Sequence, residues 1–190
     1  MHPCCDDVGS LFYHLIGELV DHPEDLRIRM VTGGQSTLLE VYAREVEIRQ
    51  IIGGNGRLAD SLREILVNIG ARSRVRYILD IVESEVAIPA DVIPPPWAPA
   101  LAKEAALTPP QRIAGLLAQV LVPMVEDVEA IDVRTVLGSQ TIIFNIHISQ
   151  RDLPRVLGRE GRTANALRTL VGAMGGRHRF RSILDVNEEE

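Results

Sequence analysis

Hydrophobic and polar positions along the chain pass through the same succession of patterns twice. Each succession opens with apolar residues at helical spacing: Leu11, Leu15, Ile16, Leu19 and Val20 in the first, and Ile113, Leu117, Val120, Leu121 and Met124 in the second. Because side chains three or four residues apart share one face of a helix, each set predicts an amphipathic helix.

Two runs of alternating apolar and polar residues follow each predicted helix, and a short glycine turn separates them. In the first copy the alternating positions are Leu26, Ile28 and Met30, then Thr37, Leu39, Val41 and Ala43. In the second copy they are Ile131 and Val133, then Ile142, Phe144, Ile146 and Ile148. Period-two runs on either side of a glycine turn predict a β-hairpin.

A short helix, a glycine loop, a longer amphipathic helix and a last strand complete each pattern. We predict the short helices over residues 45–52 and 152–157, and the last strands over residues 75–81 and 180–186. Gly70 and Gly175 end the longer helices, where a left-handed C-terminal cap is expected. Each copy therefore predicts the element order α-β-β-α-α-β.

The two copies align without a gap at an offset of 105 residues, from Leu26 and Ile131 to Glu83 and Glu188. Residues 51–63 read IIGGNGRLADSLR, and residues 156–168 read VLGREGRTANALR. Two copies are too few for a solenoid, which needs at least three repeats to bury its faces. The sequence therefore predicts two domains of one α+β fold, over residues 9–85 and 111–188, each with a three-stranded sheet and helices on one face.

Residues 86–110 separate the two predicted domains. They contain seven prolines, at positions 89, 94, 95, 96, 99, 109 and 110. This composition predicts an extended, semi-rigid linker. Trp97 in its middle is the only tryptophan of the chain; either it docks on a domain surface or it anchors a partner.

The charge distribution favours an anionic ligand, although the net charge of −6 does not. Residues 149–181 carry eight arginines against two acidic residues, and the matching residues 44–76 carry seven against four. Positive charge is thus concentrated around the repeated glycine loop in both copies. His178, among Arg177, Arg179 and Arg181, either adds a phosphate contact or lies in a solvated turn.

Several classes of protein are not indicated by this sequence. No apolar run approaches the roughly 20 residues of a membrane span, and the first seven residues do not resemble a secretory signal. Cys4 and Cys5 are adjacent, which fits neither a disulfide framework nor the usual spacing of zinc ligands. A cytoplasmic chain is expected. We find no metal motif, no cofactor motif and no catalytic arrangement around the scattered histidines.

The G-x-x-G loops are the candidate binding sites. Glycines allow positive φ and close approach to the backbone, and the helix that follows offers free N–H groups to phosphate. Arg57 and Arg162 open that helix, where its dipole disfavours a cation, and this indicates a negative partner. The alternative is a tight helix-loop-helix turn with its arginines in solvent. The candidate phosphate-binding residues are Gly53, Gly54, Asn55, Gly56, Arg57, Arg49 and Arg63, with Gly158, Arg159, Glu160, Gly161, Arg162, Arg155 and Arg168.

On these residues each half resembles the K-homology (KH) domain of the prokaryotic type, or type II, and in particular that of the small bacterial RNA-binding protein KhpA. The match is close over Val156–Ala164, Leu167–Leu170 and Leu184–Val186. The resemblance implies a type II KH fold that binds single-stranded RNA, with the loop clamping about four nucleotides and the bases between the loop's helices and the central strand. It also implies self-association or pairing with a second RNA-binding protein.

The chain departs from that family pattern in three ways. It holds two units instead of one, it has a proline-rich linker, and its first loop lacks a basic residue between the glycines. We expect a non-catalytic protein that holds single-stranded RNA through two loops. The alternatives are a protein-interaction scaffold in which tandem KH domains retain only vestigial RNA contact, and an enzyme that acts on RNA.

Overall fold

A computed structural model describes residues 5–82 and 107–188. The linker prediction for residues 86–106, with Trp97, and the predictions for Cys4 and the last two residues lie outside the described part. The chain divides into two compact units, Met1–Ala106 and Leu107–Glu190, which we call the N-terminal and C-terminal domains. No helix within the described ranges is long and apolar enough to cross a membrane.

The N-terminal domain has the predicted order of elements. Helix α1 spans Cys5–Gly17, and the hairpin strands are β1 (Arg27–Thr32) and β2 (Ser36–Tyr42). Helix α2 (Glu45–Ile52), a single 3₁₀ turn (Gly54–Gly56), helix α3 (Arg57–Ser73) and strand β3 (Arg76–Ile81) follow. The predicted bounds of the short helix are therefore confirmed.

The C-terminal domain repeats this order. Helix α4 (Pro109–Leu121) begins with two prolines after the N-cap residue Thr108, so it starts two residues before the predicted domain boundary. The hairpin strands are β4 (Asp132–Leu137) and β5 (Thr141–Ile148). Helix α5 (Leu153–Leu157), a 3₁₀ turn (Arg159–Gly161), helix α6 (Arg162–Arg177) and strand β6 (Arg181–Glu188) complete the domain.

Each domain contains one three-stranded mixed sheet with the hairpin's second strand in the centre. Strand β2 pairs antiparallel with β1 and parallel with β3, and β5 pairs in the same way with β4 and β6. The described part of the chain therefore consists of two α+β domains of one fold, and in each the last strand is an outer strand of the sheet.

The inner face of each sheet is covered and forms the core with the helices. In β2 the buried residues alternate at Thr37, Leu39 and Val41, as the period-two pattern predicts. In β5 every second residue from Ile142 to Ile148 is buried. The largest fully buried side chains are Phe12, Ile16, Leu26, Leu39, Ile51, Leu62, Ile65, Leu66 and Ile69, with Ile113, Leu121 and Phe144 in the C-terminal domain.

The predicted left-handed caps at Gly70 and Gly175 are wrong. Helix α3 continues to Ser73, and α6 to Arg177. The left-handed residues are instead Arg74 (φ 56°) and Arg179 (φ 62°). Both glycines serve close packing: a Cβ on Gly70 would lie 2.4 Å from the carbonyl oxygen of Val75. A glycine at this position lets the long helix approach the chain just before the last strand.

Candidate nucleic-acid interface

The two G-x-x-G loops have the same backbone conformation. The first glycine has φ 71° and ψ 173° in the N-terminal loop, and φ 72° and ψ 173° in the C-terminal loop. The third residue is left-handed in both, Asn55 at φ 58° and Glu160 at φ 57°. The last glycine is left-handed as well and precedes the first residue of the long helix. The two loops therefore adopt the same backbone conformation although their central residues differ, Gly54-Asn55 in one and Arg159-Glu160 in the other.

The first glycine of each loop cannot be replaced by another residue without strain. Its combination of φ and ψ is essentially restricted to glycine. A Cβ on Gly158 would also lie 2.2 Å from the Thr163 Oγ1 and 2.9 Å from the Thr163 backbone nitrogen. On Gly53 it would lie 2.7 Å from the Leu58 Cγ. The loop backbone thus packs directly on the first turn of the helix that follows.

That first turn points its N–H groups at the loop. The first N–H groups of a helix have no intrahelical partner and form the positive end of its dipole. In the described loops neither α3 nor α6 has a side-chain cap hydrogen bond at its N-terminus. Of the helix N–H groups, that of Arg57 or Arg162 already donates to the carbonyl oxygen of Gly54 or Arg159. Each loop with its helix therefore offers donors and a positive potential suited to an anion.

In the C-terminal domain the loop arginines lie close to carboxylates. The Glu160 carboxylate lies 3.8 Å from Nε of Arg159 and 3.5 Å from an Nη of Arg162. All three side chains are more than half exposed, so these pairs are weak and screened by salt. A phosphate group at the loop would compete with the Glu160 carboxylate for both guanidinium groups.

Arg168 lies farther along α6 and reaches the last strand. Its Nε donates a hydrogen bond to the carbonyl oxygen of Leu184 at 3.2 Å. An Nη donates to the Asn165 side-chain oxygen at 3.0 Å. Arg168 therefore lies along the seam between helix α6 and the outer strand β6.

The N-terminal loop carries no acid between its glycines. The Nε of Arg57 donates to the carbonyl oxygen of Gly54 at 3.3 Å. Arg49 pairs with Glu45, and Arg63 pairs with Asp60 at 3.1 Å. Asp60 occupies the position of Asn165 in the other copy, so the arginine on the long helix has an acidic neighbour in one domain and an amide in the other.

A buried carboxylate fixes the helix before each loop, and the sequence patterns did not reveal it. Asp152 is 1% exposed. Its Oδ1 accepts a hydrogen bond from the N–H of Glu126 at 2.9 Å, and its Oδ2 from the N–H of Asp127 at 3.0 Å. Burial raises the pKa of this carboxyl, but these two N–H donors, the Ser149 hydroxyl and Arg155 outweigh it and hold the pKa below its usual value.

Glu47 occupies the same position in the N-terminal domain. It is 1% exposed, and its Oε1 accepts a hydrogen bond from the N–H of His22 at 3.1 Å. Its Oε2 lies 3.4 Å from the Arg44 N–H, the reciprocal bond of a capping box. In both domains a buried acid joins the short helix before the loop to the segment that follows the first helix.

We predict that Asp152→Asn destabilises the C-terminal domain by about 1–3 kcal/mol at pH 7, because an amide cannot accept from both backbone donors. A carboxyl whose pKa is lower in the folded than in the unfolded chain stabilises the fold. The stabilisation is complete above the unfolded-state pKa of about 3.9 and is lost as the pH falls through the folded-state pKa. The difference in unfolding free energy between the Asp152→Asn variant and the unchanged chain should therefore become smaller below about pH 4. Hydrogen exchange of the β5 peptide at several pH values measures this free-energy difference.

Glu126→Gln is the matched control for this prediction. Its side chain pairs with Arg155 at 2.9 Å and is 65% exposed, so the change should cost at most about 1 kcal/mol. Equal destabilisation by the two variants at pH 7 would show that Asp152 acts only through Arg155, and would contradict the role given to its backbone donors.

The structure brings the predicted site residues of each copy to one loop and the two helices beside it. Within residues 5–82 and 107–188, no group of three His, Cys, Asp or Glu side chains is placed to hold a metal ion.

Comparison with known proteins agrees with this geometry. The sequence model described as "KhpA/KhpB, KH domain" matches the chain twice, over residues 10–81 and 114–186. The chain belongs to the KhpA/KhpB KH-domain family. Both matches include a G-x-x-G loop, so the resemblance found in the sequence is confirmed for both halves.

Individual relatives match one KH unit at a time. RNA-binding protein KhpA of Chlamydia pneumoniae is 36% identical over 72 residues, which is 38% of this chain and 92% of that protein. RNA-binding protein KhpA of Mycobacterium bovis is 32% identical over 72 residues, 38% of this chain and 86% of that protein. The protein of the same name from Aquifex aeolicus is 35% identical over 66 residues, 35% and 84% of the two chains.

Proposed function

We propose that this KhpA/KhpB-family chain binds single-stranded RNA without chemical catalysis, and that both G-x-x-G loops hold the RNA backbone. The observation that carries the proposal is the shared loop conformation, with left-handed residues directly before a helix of 16 or 17 residues that has no side-chain cap. Such a loop lets a phosphate approach the backbone N–H groups and the positive end of the helix dipole. The relatives named as RNA-binding proteins support the same conclusion.

The arginines around each loop would supply the longer-range attraction. Arg57 and Arg162 begin the long helices, and Arg63 and Arg168 lie six residues farther along them. Their guanidinium groups suit phosphate oxygens because they present several donors in one plane. The net negative charge of the chain does not oppose this, since attraction depends on the local field around the bound strand.

We predict that RNA affinity falls steeply as salt concentration rises, because each phosphate contact releases counterions. For single strands the slope of log K against log salt is about −0.7 for each contact. Fluorescence anisotropy with a labelled 20-nucleotide single-stranded RNA at 50 to 300 mM salt measures this slope. A duplex of the same length should compete poorly, since a KH groove takes unstacked bases. Absence of binding at 50 mM salt, or equal competition by the duplex, would contradict the proposal.

A second candidate function is a protein-interaction scaffold. One observation favours it: the outer face of each sheet carries an apolar row in the same register. Val31, Leu38 and Ile78 are paired across the N-terminal sheet. Val136, Ile143 and Ile183 are paired in the same way across the C-terminal sheet. Val31, Ile78 and Val136 are each more than 40% exposed.

The same salt titration separates the two candidates. A scaffold with vestigial RNA contact would bind RNA weakly, and the slope of log K against log salt would be shallow. Replacing residues of a G-x-x-G loop by aspartate would not change that slope. A steep slope that flattens in a loop variant supports RNA binding. Self-association or pairing with a second RNA-binding protein is compatible with either function, and light scattering of the purified chain measures the first of these.

A further inference from the structure

A second arginine cluster lies at the far end of each long helix, and it is repeated in register. The turn from α3 to β3 carries Arg72, Arg74 and Arg76, and the turn from α6 to β6 carries Arg177, Arg179 and Arg181. Each arginine of the first set lies 105 positions before its counterpart in the second. The central arginine is left-handed in both turns. The two turns therefore share the positions of their three arginines and the left-handed central residue, although α6 ends one aligned position earlier than α3.

The last two arginines of each turn differ from most of the loop arginines in their surroundings. Arg74, Arg76, Arg179 and Arg181 are all exposed. Over residues 5–82 and 107–188, the structure gives none of these four an ion pair with an acidic side chain. Five of the site arginines have one, namely Arg49, Arg63, Arg155, Arg159 and Arg162, whereas Arg57 and Arg168 donate to carbonyl or amide oxygens. The charge of the four turn arginines is thus offered to solvent, and a new anion would not have to displace a carboxylate.

The cluster is separated from the loop by the length of the helix. Helix α6 has 16 residues, so its two ends lie about 24 Å apart. Between them Arg168 donates to the Leu184 carbonyl oxygen on the outer strand. Strand β6 begins at Arg181 and pairs with β5 on one side only. A seam between α6 and the outer edge of β6 therefore leads from the loop, past Arg168, to the turn.

We propose that the R-x-R-x-R turns form a second phosphate-binding site for RNA, beyond the nucleotides that a G-x-x-G loop holds. The inference rests on the proposed function, since it extends the footprint of the same bound strand. A loop that holds about four nucleotides leaves the rest of a longer RNA free to follow the seam. Its phosphates would then meet Arg179 and Arg181, or Arg74 and Arg76 in the N-terminal domain, without sequence readout.

The test compares two variants of the full chain that remove the same charge. Arg179→Gln with Arg181→Gln removes two cations from the C-terminal turn. Arg29→Gln with Arg134→Gln removes two from the exposed side of the sheets, where each pairs with an acid: Glu40 at 3.7 Å and Asp132 at 2.6 Å. Each variant is titrated with the 20-nucleotide RNA by anisotropy across salt, and with a 5-nucleotide RNA by chemical-shift titration at low salt.

We expect the turn variant to bind the 20-nucleotide RNA roughly tenfold more weakly at 150 mM salt, with a salt slope reduced by about 1.4, which corresponds to two lost phosphate contacts. The affinity of the turn variant for the 5-nucleotide RNA should stay within about twofold of that of the unchanged chain. The affinity of the sheet variant for both RNAs should stay within the same range. An unchanged salt slope, an equal loss with the 5-nucleotide RNA, or an equal loss in the sheet variant would overturn the second site.

Failure of this inference and failure of the proposed function give different results. If the unchanged chain does not bind the 20-nucleotide RNA at 50 mM salt, the proposed function fails and the second site with it. If the unchanged chain binds and aspartate substitution in the C-terminal loop weakens it, while the turn variant retains the full salt slope, only the second site is overturned. Circular dichroism of each variant verifies that the fold is retained.

Discussion

Replacing both Arg159 and Glu160 by aspartate is expected to remove most of the affinity for single-stranded RNA and to leave the fold unchanged. The change adds one carboxylate beside the one already present at residue 160 and removes one arginine. Repulsion then replaces a charge-assisted contact, and a loss of more than tenfold is expected for such a contact. Both side chains are more than 65% exposed. Anisotropy with the 20-nucleotide RNA measures the affinity, and circular dichroism verifies the fold.

The N-terminal loop supplies a control with the same change in charge. Gly54→Asp with Asn55→Asp also makes the loop more negative by two units, and a Cβ on Gly54 meets only an Arg57 Nη at 3.8 Å. We expect a smaller loss of affinity, because this loop has no arginine between its glycines to lose. Equal losses of RNA affinity in the two variants would show that the charge of the loop does not determine which site contributes more affinity. A greater loss from the N-terminal change would reverse the ranking.

Gly175→Ala is expected to destabilise the C-terminal domain strongly. The new Cβ would lie 1.8 Å from the Ser182 Oγ and 3.0 Å from the carbonyl oxygen of Phe180. The serine could move only by breaking its 2.8 Å hydrogen bond to the Val171 carbonyl. Overpacking of this kind costs about 1–3 kcal/mol, and the lost hydrogen bond about 1 kcal/mol more. Hydrogen exchange of the β5 peptide reports the free energy of opening this domain.

Gly172→Ala is the matched control on the same helix. A Cβ there has no neighbour within 4 Å, so only the greater helix propensity of alanine acts, and it should stabilise by up to about 1 kcal/mol. Since both variants gain this propensity, their difference isolates the clash at residue 175 and should be about 2–4 kcal/mol. Equal exchange rates in the two variants would contradict the close packing of α6 on β6.

The sequence predicted the order of elements because burial of one face imposes local periodicities. The hairpin strands followed from that periodicity together with the glycine turn between them. The role of Gly70 and Gly175 could not be predicted from the sequence, because the approach of a helix to a strand is set by tertiary packing. The hydrogen bonds accepted by Asp152 and Glu47 were missed for the same reason: their donors lie about 25 residues earlier in the chain. The nearest sequence signal was an acid at the same place in both copies.

The candidate site was predicted in its residues but not in its electrostatics. The repeated G-x-x-G pattern identified both loops and the arginines beside them. It did not show that Glu160 lies near both Arg159 and Arg162, because side-chain directions depend on the left-handed backbone at residue 160. Nor did it show that, within residues 5–82 and 107–188, Arg74, Arg76, Arg179 and Arg181 at the far end of the long helices have no ion pair, whereas Arg159 and Arg162 have one.

The loop conformation also makes the chain suitable for protein engineering. The flanking glycines determine the path of the backbone, and two copies keep that path with Gly-Asn in one loop and Arg-Glu in the other. Residues 54 and 159 can therefore be randomised together on a constant scaffold, with residues 55 and 160 restricted to side chains that tolerate a left-handed backbone. Selection from such a library would give binders whose affinity for nucleic acid is adjusted separately at each loop.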